Sequence, residues 1–111
     1  MIGIYKITNT FNNKIYIGQS KDVKEREAQH FNKLRANKHS NKNMQTDYNK
    51  YGQFFTFEVI ECCRLERLNE REQYWIAYYH SNDAAKGYNL NDGGGVKRRV
   101  KRRGLLDRMT D

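Results

Sequence analysis

The chain reads as a small α+β domain. Three observations carry that class: a near-palindromic opening rich in strand formers, a strand-like run in mid-chain, and apolar residues elsewhere spaced at helical intervals. At 111 residues the chain holds one compact unit and a tail.

The opening, MIGIYKITNTFNNKIYIG, sets Gly3-Ile4-Tyr5 against Tyr16-Ile17-Gly18. Ile4, Tyr5, Ile7, Tyr16 and Ile17 favour strands, and Asn9, Asn12 and Asn13 tolerate turn conformations, so a β-hairpin is predicted. Side chains alternate along a strand. An even-numbered loop therefore puts Tyr5 and Tyr16 on one face, and the other register separates them by the sheet.

A helix should start near Asp22, where Asp22 and Glu25 suit a capping box, and run through VKEREAQHFNKL. Val23, Phe31 and Leu34 form its apolar stripe, with Arg26 and His30 four residues apart along one edge. After a polar loop containing His39, NKNMQTDYNKYG carries Met44, Tyr48 and Tyr51 at helical spacing, with Gly52 as a C-terminal stop. FFTFEVIEC alternates as a strand, with Phe55, Phe57 and Val59 on one face.

The next helix, RLNEREQYWIAYYH, is the most informative segment. Wound from Leu65, it brings Leu65, Leu68, Trp75, Ile76 and Tyr79 within about 100° of arc. Glu72 falls in the middle of that arc, where the pattern asks for leucine. A carboxylate there is costly unless it is paired, hydrogen-bonded or bound to a metal. Beyond KGYNLNDGGG, which reads as a short extended piece ending in a flexible break, KRRVKRR holds six basic residues in seven and suits a solvated arm.

Net charge is +8, from 21 Lys and Arg against 13 Asp and Glu. From residue 97 onward seven basic residues face two acidic ones, a net of +5, and the rest of the chain carries +3. A cationic tail on a mildly basic body suits a polyanion, most often nucleic acid. No run approaches the roughly 18 apolar residues of a membrane span and no signal-peptide pattern opens the chain, so a soluble, intracellular (cytoplasmic) protein is expected. Cys62 and Cys63 are adjacent and fit neither an ordinary bridge nor a zinc spacing, which leaves buried free thiols as the expectation.

The residues that invite chemistry are thus two tyrosines on a hairpin, Arg26 and His30 on a helix edge, His39 in a loop, and Glu72 on a core-facing helix face. Each has a plain alternative: aromatic packing for the tyrosines, surface hydrogen bonding for the histidines, an ion pair for Arg26, a buried salt bridge for Glu72. Taken together and in order, they resemble the GIY-YIG nuclease domain, named for the two tripeptides. The likeness continues through Arg26 and His30 in KDVKEREAQHF, Glu72 in EREQYWI and the closing Gly87-Tyr88-Asn89, and it is nearest to the catalytic domains of phage and intron-encoded homing endonucleases, where a histidine like His39 also occurs.

The resemblance implies a three-stranded antiparallel sheet flanked by helices, with both tyrosines facing one catalytic surface. It implies residues 1–92 as the catalytic domain and 93–111 as a glycine-rich break and basic tail or linker. It further implies a metal-dependent DNA endonuclease in which Glu72 holds Mg²⁺, with Mn²⁺ as a substitute, and Arg26 binds the scissile phosphate. Tyr5 would serve as general base, its pKa lowered by the metal, Arg26 and His30, and Tyr16 would orient the water. His30 would take the Tyr5 proton or protonate the leaving group, His39 would position substrate or relay protons, and Asn89 would orient its neighbours. Glu27 departs from the family pattern by standing near the middle of the first helix's apolar stripe, where it would either pair with a lysine or arginine or compete as a metal ligand. The chain would then be either a catalytic module joined to a separate recognition domain, or a small stand-alone nuclease whose basic arm, Lys97, Arg98, Arg99, Lys101, Arg102 and Arg103, grips DNA phosphates without reading bases, and a transient dimer would be one route to double-strand cutting. The competing class is a non-catalytic nucleic-acid-binding or partner-docking module of the same fold.

Overall fold

A computed structural model describes residues 1–93. The elements in chain order are strands β1 (Gly3–Asn9) and β2 (Lys14–Ser20), helices α1 (Val23–Arg35) and α2 (Lys42–Tyr51), strand β3 (Phe55–Cys62) and helix α3 (Leu68–Tyr79). The sheet is antiparallel in the order β2-β1-β3, so the first strand is central.

The hairpin loop holds four residues, an even number, and pairs Tyr5 with Gly18 and Ile7 with Tyr16. All three asparagines work in it. Asn13 takes a left-handed conformation (φ 65°), Asn9 Oδ1 accepts from the Phe11 N–H, and Asn12 Oδ1 accepts from the Lys14 N–H. The odd-numbered side chains of β1 and the even-numbered ones of β2 therefore share a face, and the Tyr5 and Tyr16 rings lie 6.5 Å apart.

That face packs against α1 and α2 around Tyr5, Ile7, Val23, Leu34, Met44 and Phe55. The opposite face buries Ile4 and Ile17 against Leu68 and Ile76 of α3. A bulge makes the second contact possible. Ile4 pairs with Glu61 and Tyr5 with Val59, which leaves Ile60 as an extra residue in β3. Past the bulge, Ile60 packs with the α3 core, and Glu61 accepts from Trp75 Nε1–H (2.7 Å) and pairs with Arg71 (2.8 Å), pinning α3 to β3.

Several sequence expectations shift in detail. Asp22 Oδ1 caps the Glu25 N–H (3.1 Å), but the Asp22 N–H bonds Ser20 Oγ (2.9 Å), so serine supplies the second half of the cap. Gly52 stays right-handed (φ −53°) and the chain tightens into a 3-10 turn over Gly52–Phe54. Leu65 is not on the α3 stripe, because Leu65–Arg67 is a separate 3-10 turn and Leu65 is 51% exposed. Val59 shares the Phe55 face but stays exposed, and the free thiols are not both buried, Cys62 being exposed and Cys63 half-buried. No helix among the described residues is long and apolar enough to cross a membrane.

Candidate active site

Two adjoining clefts open on the hairpin. Tyr16, Arg26 and Glu72 line both of them. Tyr5 lines the one that runs past Gly18 to Lys21, and His30, His39 and Asn89 line the other. The elements reach this place from three directions: tyrosines from the sheet face, Arg26 and His30 from α1, and Glu72 from α3, which projects past edge strand β2. The seven predicted residues thus converge. Glu27 is absent from the lining of either cleft.

The glycines of the opening palindrome make room. A Cβ at Gly18 would overlap the Tyr5 ring and hydroxyl, so the tyrosine lies across a position that only glycine can hold. A Cβ at Gly3 would run into the Glu61 carbonyl of the bulged β3. Each tripeptide therefore supplies both an aromatic ring and space for its neighbour across the sheet.

Behind Tyr5 stands a line of hydrogen bonds whose direction is set at its far end. The backbone N–H of Asn41 donates to His39 Nδ1 (3.0 Å). Neutral His39 then carries its proton on Nε2 and donates to His30 Nδ1 (2.7 Å), and His30 in turn donates from Nε2 to the Tyr5 oxygen (2.6 Å). Both rings are buried, unlike the surface histidines a plain reading expects, and they stack with centroids 5.0 Å apart. A further bond from the His39 N–H to Gln45 Oε1 (2.9 Å) holds the loop in place.

Burial, then the neighbouring His39, Arg26 and Lys33, hold the His30 pKa down at about 3. Burial, Lys33 and Lys42 lower His39 as well. His30 is therefore neutral at physiological pH and cannot supply the positive charge expected of it from sequence. Burial, then Tyr16 and Glu72, push Tyr5 well above the ordinary phenol range against the opposing pull of Arg26. Burial and Glu72 raise Tyr16 likewise, again opposed by Arg26.

The depressed histidines make a stability prediction. An unfolded histidine titrates near ~6.5. Below that pH the unfolded chain binds protons that folded His30 refuses, so stability present above ~6.5 is lost as pH falls toward 3. For His30 alone the expected loss at pH 5 is about 2 kcal/mol. Urea midpoints at pH 7.5 and pH 5 check it, and the double variant His30→Gln/His39→Gln should lose most of this dependence. An equal acid slope in that variant would disprove the assignment.

Glu72 is half-buried, and Gln19 Nε2 donates to its Oε1 (2.9 Å) while also donating to Asn69 Oδ1 (2.8 Å). Among the described residues no group of three or more His, Cys, Asp or Glu could hold a metal ion. Both nitrogens of each cleft histidine are engaged in hydrogen bonds. The donor set therefore fits a hard divalent cation that takes one carboxylate and keeps water or phosphate oxygens in its other positions, and does not fit zinc.

Asn89 touches the backbone. Its Oδ1 accepts from the Ile17 N–H (2.8 Å) and its Nδ2 donates to the Ile17 carbonyl (2.9 Å). With the Tyr88 N–H bonded to the Ile15 carbonyl (2.9 Å), this clasps the outer edge of β2 and fixes the backbone between Tyr16 and Gly18. Gln19, Asn41 and Gln45 were missed by sequence reasoning. The arm residues Lys97, Arg98, Arg99, Lys101, Arg102 and Arg103 lie outside the described residues.

Comparison with known proteins bears on the fold and the family. The chain is 39% identical over 92 residues to intron-associated endonuclease 1 of Enterobacteria phage T4, an alignment that covers 81% of this chain and 37% of that protein. It thus spans little more than a third of that relative's length. The solved catalytic domain of the homing endonuclease I-TevI superposes with a TM-score of 0.74 at 35% identity, covering 82% of this chain and 99% of that one. A point mutant of the same domain gives 0.73 at 36%, covering 83% and 95%. Residues 1–89 match the model of the GIY-YIG catalytic domain, and the chain belongs to that family.

Proposed function

We propose that this chain is the nuclease module of a DNA endonuclease, hydrolysing phosphodiester bonds with a divalent cation, Mg²⁺ in preference and Mn²⁺ as a substitute. The observation that carries the reading is the trough at which Tyr5, Tyr16, Arg26, His30 and Glu72 meet, backed by the family relationship. Residues 1–92 form the catalytic unit, acting inside the cell where DNA is found.

Glu72 is the protein ligand for the cation, held in orientation by Gln19. When bound there, the cation supplies neutralisation of the phosphate and of the carboxylate that otherwise opposes ionisation of the two tyrosines. Arg26 binds the scissile phosphate through its planar fork of donors. Tyr5 is the general base, working as the phenolate after its proton has left to solvent water; it then takes a proton from the attacking water, and the leaving oxygen takes its own from solvent. His30 does not take the Tyr5 proton, because its Nε2–H already donates to that oxygen, and this N–H strengthens its bond as the oxygen becomes negative. His39 holds the His30 tautomer, Tyr16 orients the water, and Asn89 holds the strand that presents Tyr16.

Conversion of supercoiled plasmid with Mg²⁺, against a control with EDTA, tests the reading. Nicked product that depends on the cation supports it; tight binding without cleavage in Mg²⁺, Mn²⁺, Co²⁺ and Ni²⁺ supports a docking module instead. One site cuts one strand, so a double-strand break requires a second attack or a transient dimer, and target choice requires a separate recognition domain. The basic arm adds phosphate contacts without reading bases. Deleting residues 97–111 is expected to weaken binding and flatten the salt dependence of the affinity, with the metal response intact; an unchanged salt slope would remove the arm from the account.

A further inference from the structure

Apart from the shared Tyr16, Arg26 and Glu72, the two clefts are lined by different residues. One includes Gln29, Lys33, Ser40 and Asn41, and the other Gly18 and Lys21. Among the described residues Glu72 is the single acidic one in the lining of either cleft, against Arg26, Lys33 and Lys21. Arg26, Gln29 and Lys33 stand at i, i+3 and i+7 on α1, one face of the helix. Other cations of the same neighbourhood, such as Lys24, line neither cleft.

We propose that this helix face is a track for the cleaved strand, with Lys33 binding a phosphate to one side of the cut and Lys21 binding one on the opposite side. The proposal rests on the nuclease reading above and deepens it by giving the substrate a path. Seven residues of α-helix span ~10 Å, and neighbouring phosphates of one B-form strand, which turn as well as rise, lie about 7 Å apart. Lys33 therefore meets a phosphate one or two nucleotides from the one at Arg26. Gln29, between the two cations, offers neutral hydrogen bonding to the intervening backbone. The ammonium of Lys33 also stands close enough to the histidine pair to help hold both rings neutral.

The test uses a duplex bearing single methylphosphonates, neutral replacements for phosphate, placed one at a time along the cleaved strand, with affinity measured in EDTA. Wild type should lose roughly fivefold to tenfold affinity when the phosphate one or two nucleotides from the cut is neutralised. Lys33→Gln should be indifferent to that replacement and keep its response at every other position. Lys21→Gln should be indifferent at a position across the cut, and Lys24→Gln, which removes the same charge from the same helix, should respond as wild type does. A Lys33→Gln protein with the wild-type profile at every position overturns the track alone, provided the wild type still cleaves plasmid. Failure of the wild type to bind overturns the track and the nuclease reading together.

Discussion

Glu72→Gln is expected to lower plasmid cleavage by three or more orders of magnitude, while DNA affinity in EDTA and the thermal midpoint stay close to wild type. The substitution keeps the volume and a group able to meet the Gln19 amide, but removes the charge that a hard cation requires. Stability should hold because the position interrupts an apolar helix face between buried Leu68 and Ile76, where an ionised group carries a desolvation cost. Gln19→Ala should show an intermediate loss of about 10–100-fold, since it frees the carboxylate's orientation without removing it. Cleavage by Glu72→Gln within tenfold of wild type would sink the assignment of Glu72.

Gly18→Ala is the second large effect, expected to damage stability and chemistry together. The added methyl occupies the space of the Tyr5 ring and hydroxyl, with β1 behind the ring and Phe57 stacked beside it at 4.9 Å. Tyr5 can yield only by leaving its 2.6 Å bond to His30, which opens the hydrogen-bond line and strands a buried donor. A destabilisation of about 2–4 kcal/mol is expected from overpacking and the lost bond. Activity measured at a temperature where the variant remains folded should still fall at least ~10²-fold. Urea unfolding and a parallel cleavage assay separate the two effects, and a variant as stable and active as wild type would contradict the packing.

The periodic parts of this fold were legible in the chain. Alternation gave the hairpin and the third strand, helical spacing gave the three helices, and the even loop needed only its residue count to bring Tyr5 and Tyr16 together. The site was legible where one residue broke a pattern, as Glu72 does. Gln19 broke one too, two positions after Ile17 on the strand face that meets α3, and the two polar interruptions pair with each other. Only the packing of helix on sheet reveals that match. The bulge at Ile60 left no such sign, because an extra residue in a strand shows only against its partner. Nor could sequence decide the charge on His30, which depends on burial and on a backbone N–H eleven residues away at Asn41.

The clasp of residues 87–89 on β2 has a geometric consequence for the four described residues that follow it. Having sealed that strand's outer rim, the main chain turns along the cleft through Leu90 and Asn91 and reaches Gly93, whose left-handed backbone (φ 87°) nestles against Ile76 and the Glu72 side chain. The last described residue therefore sits against the carboxylate proposed to hold the cation, and any side chain added at Gly93 would crowd that group.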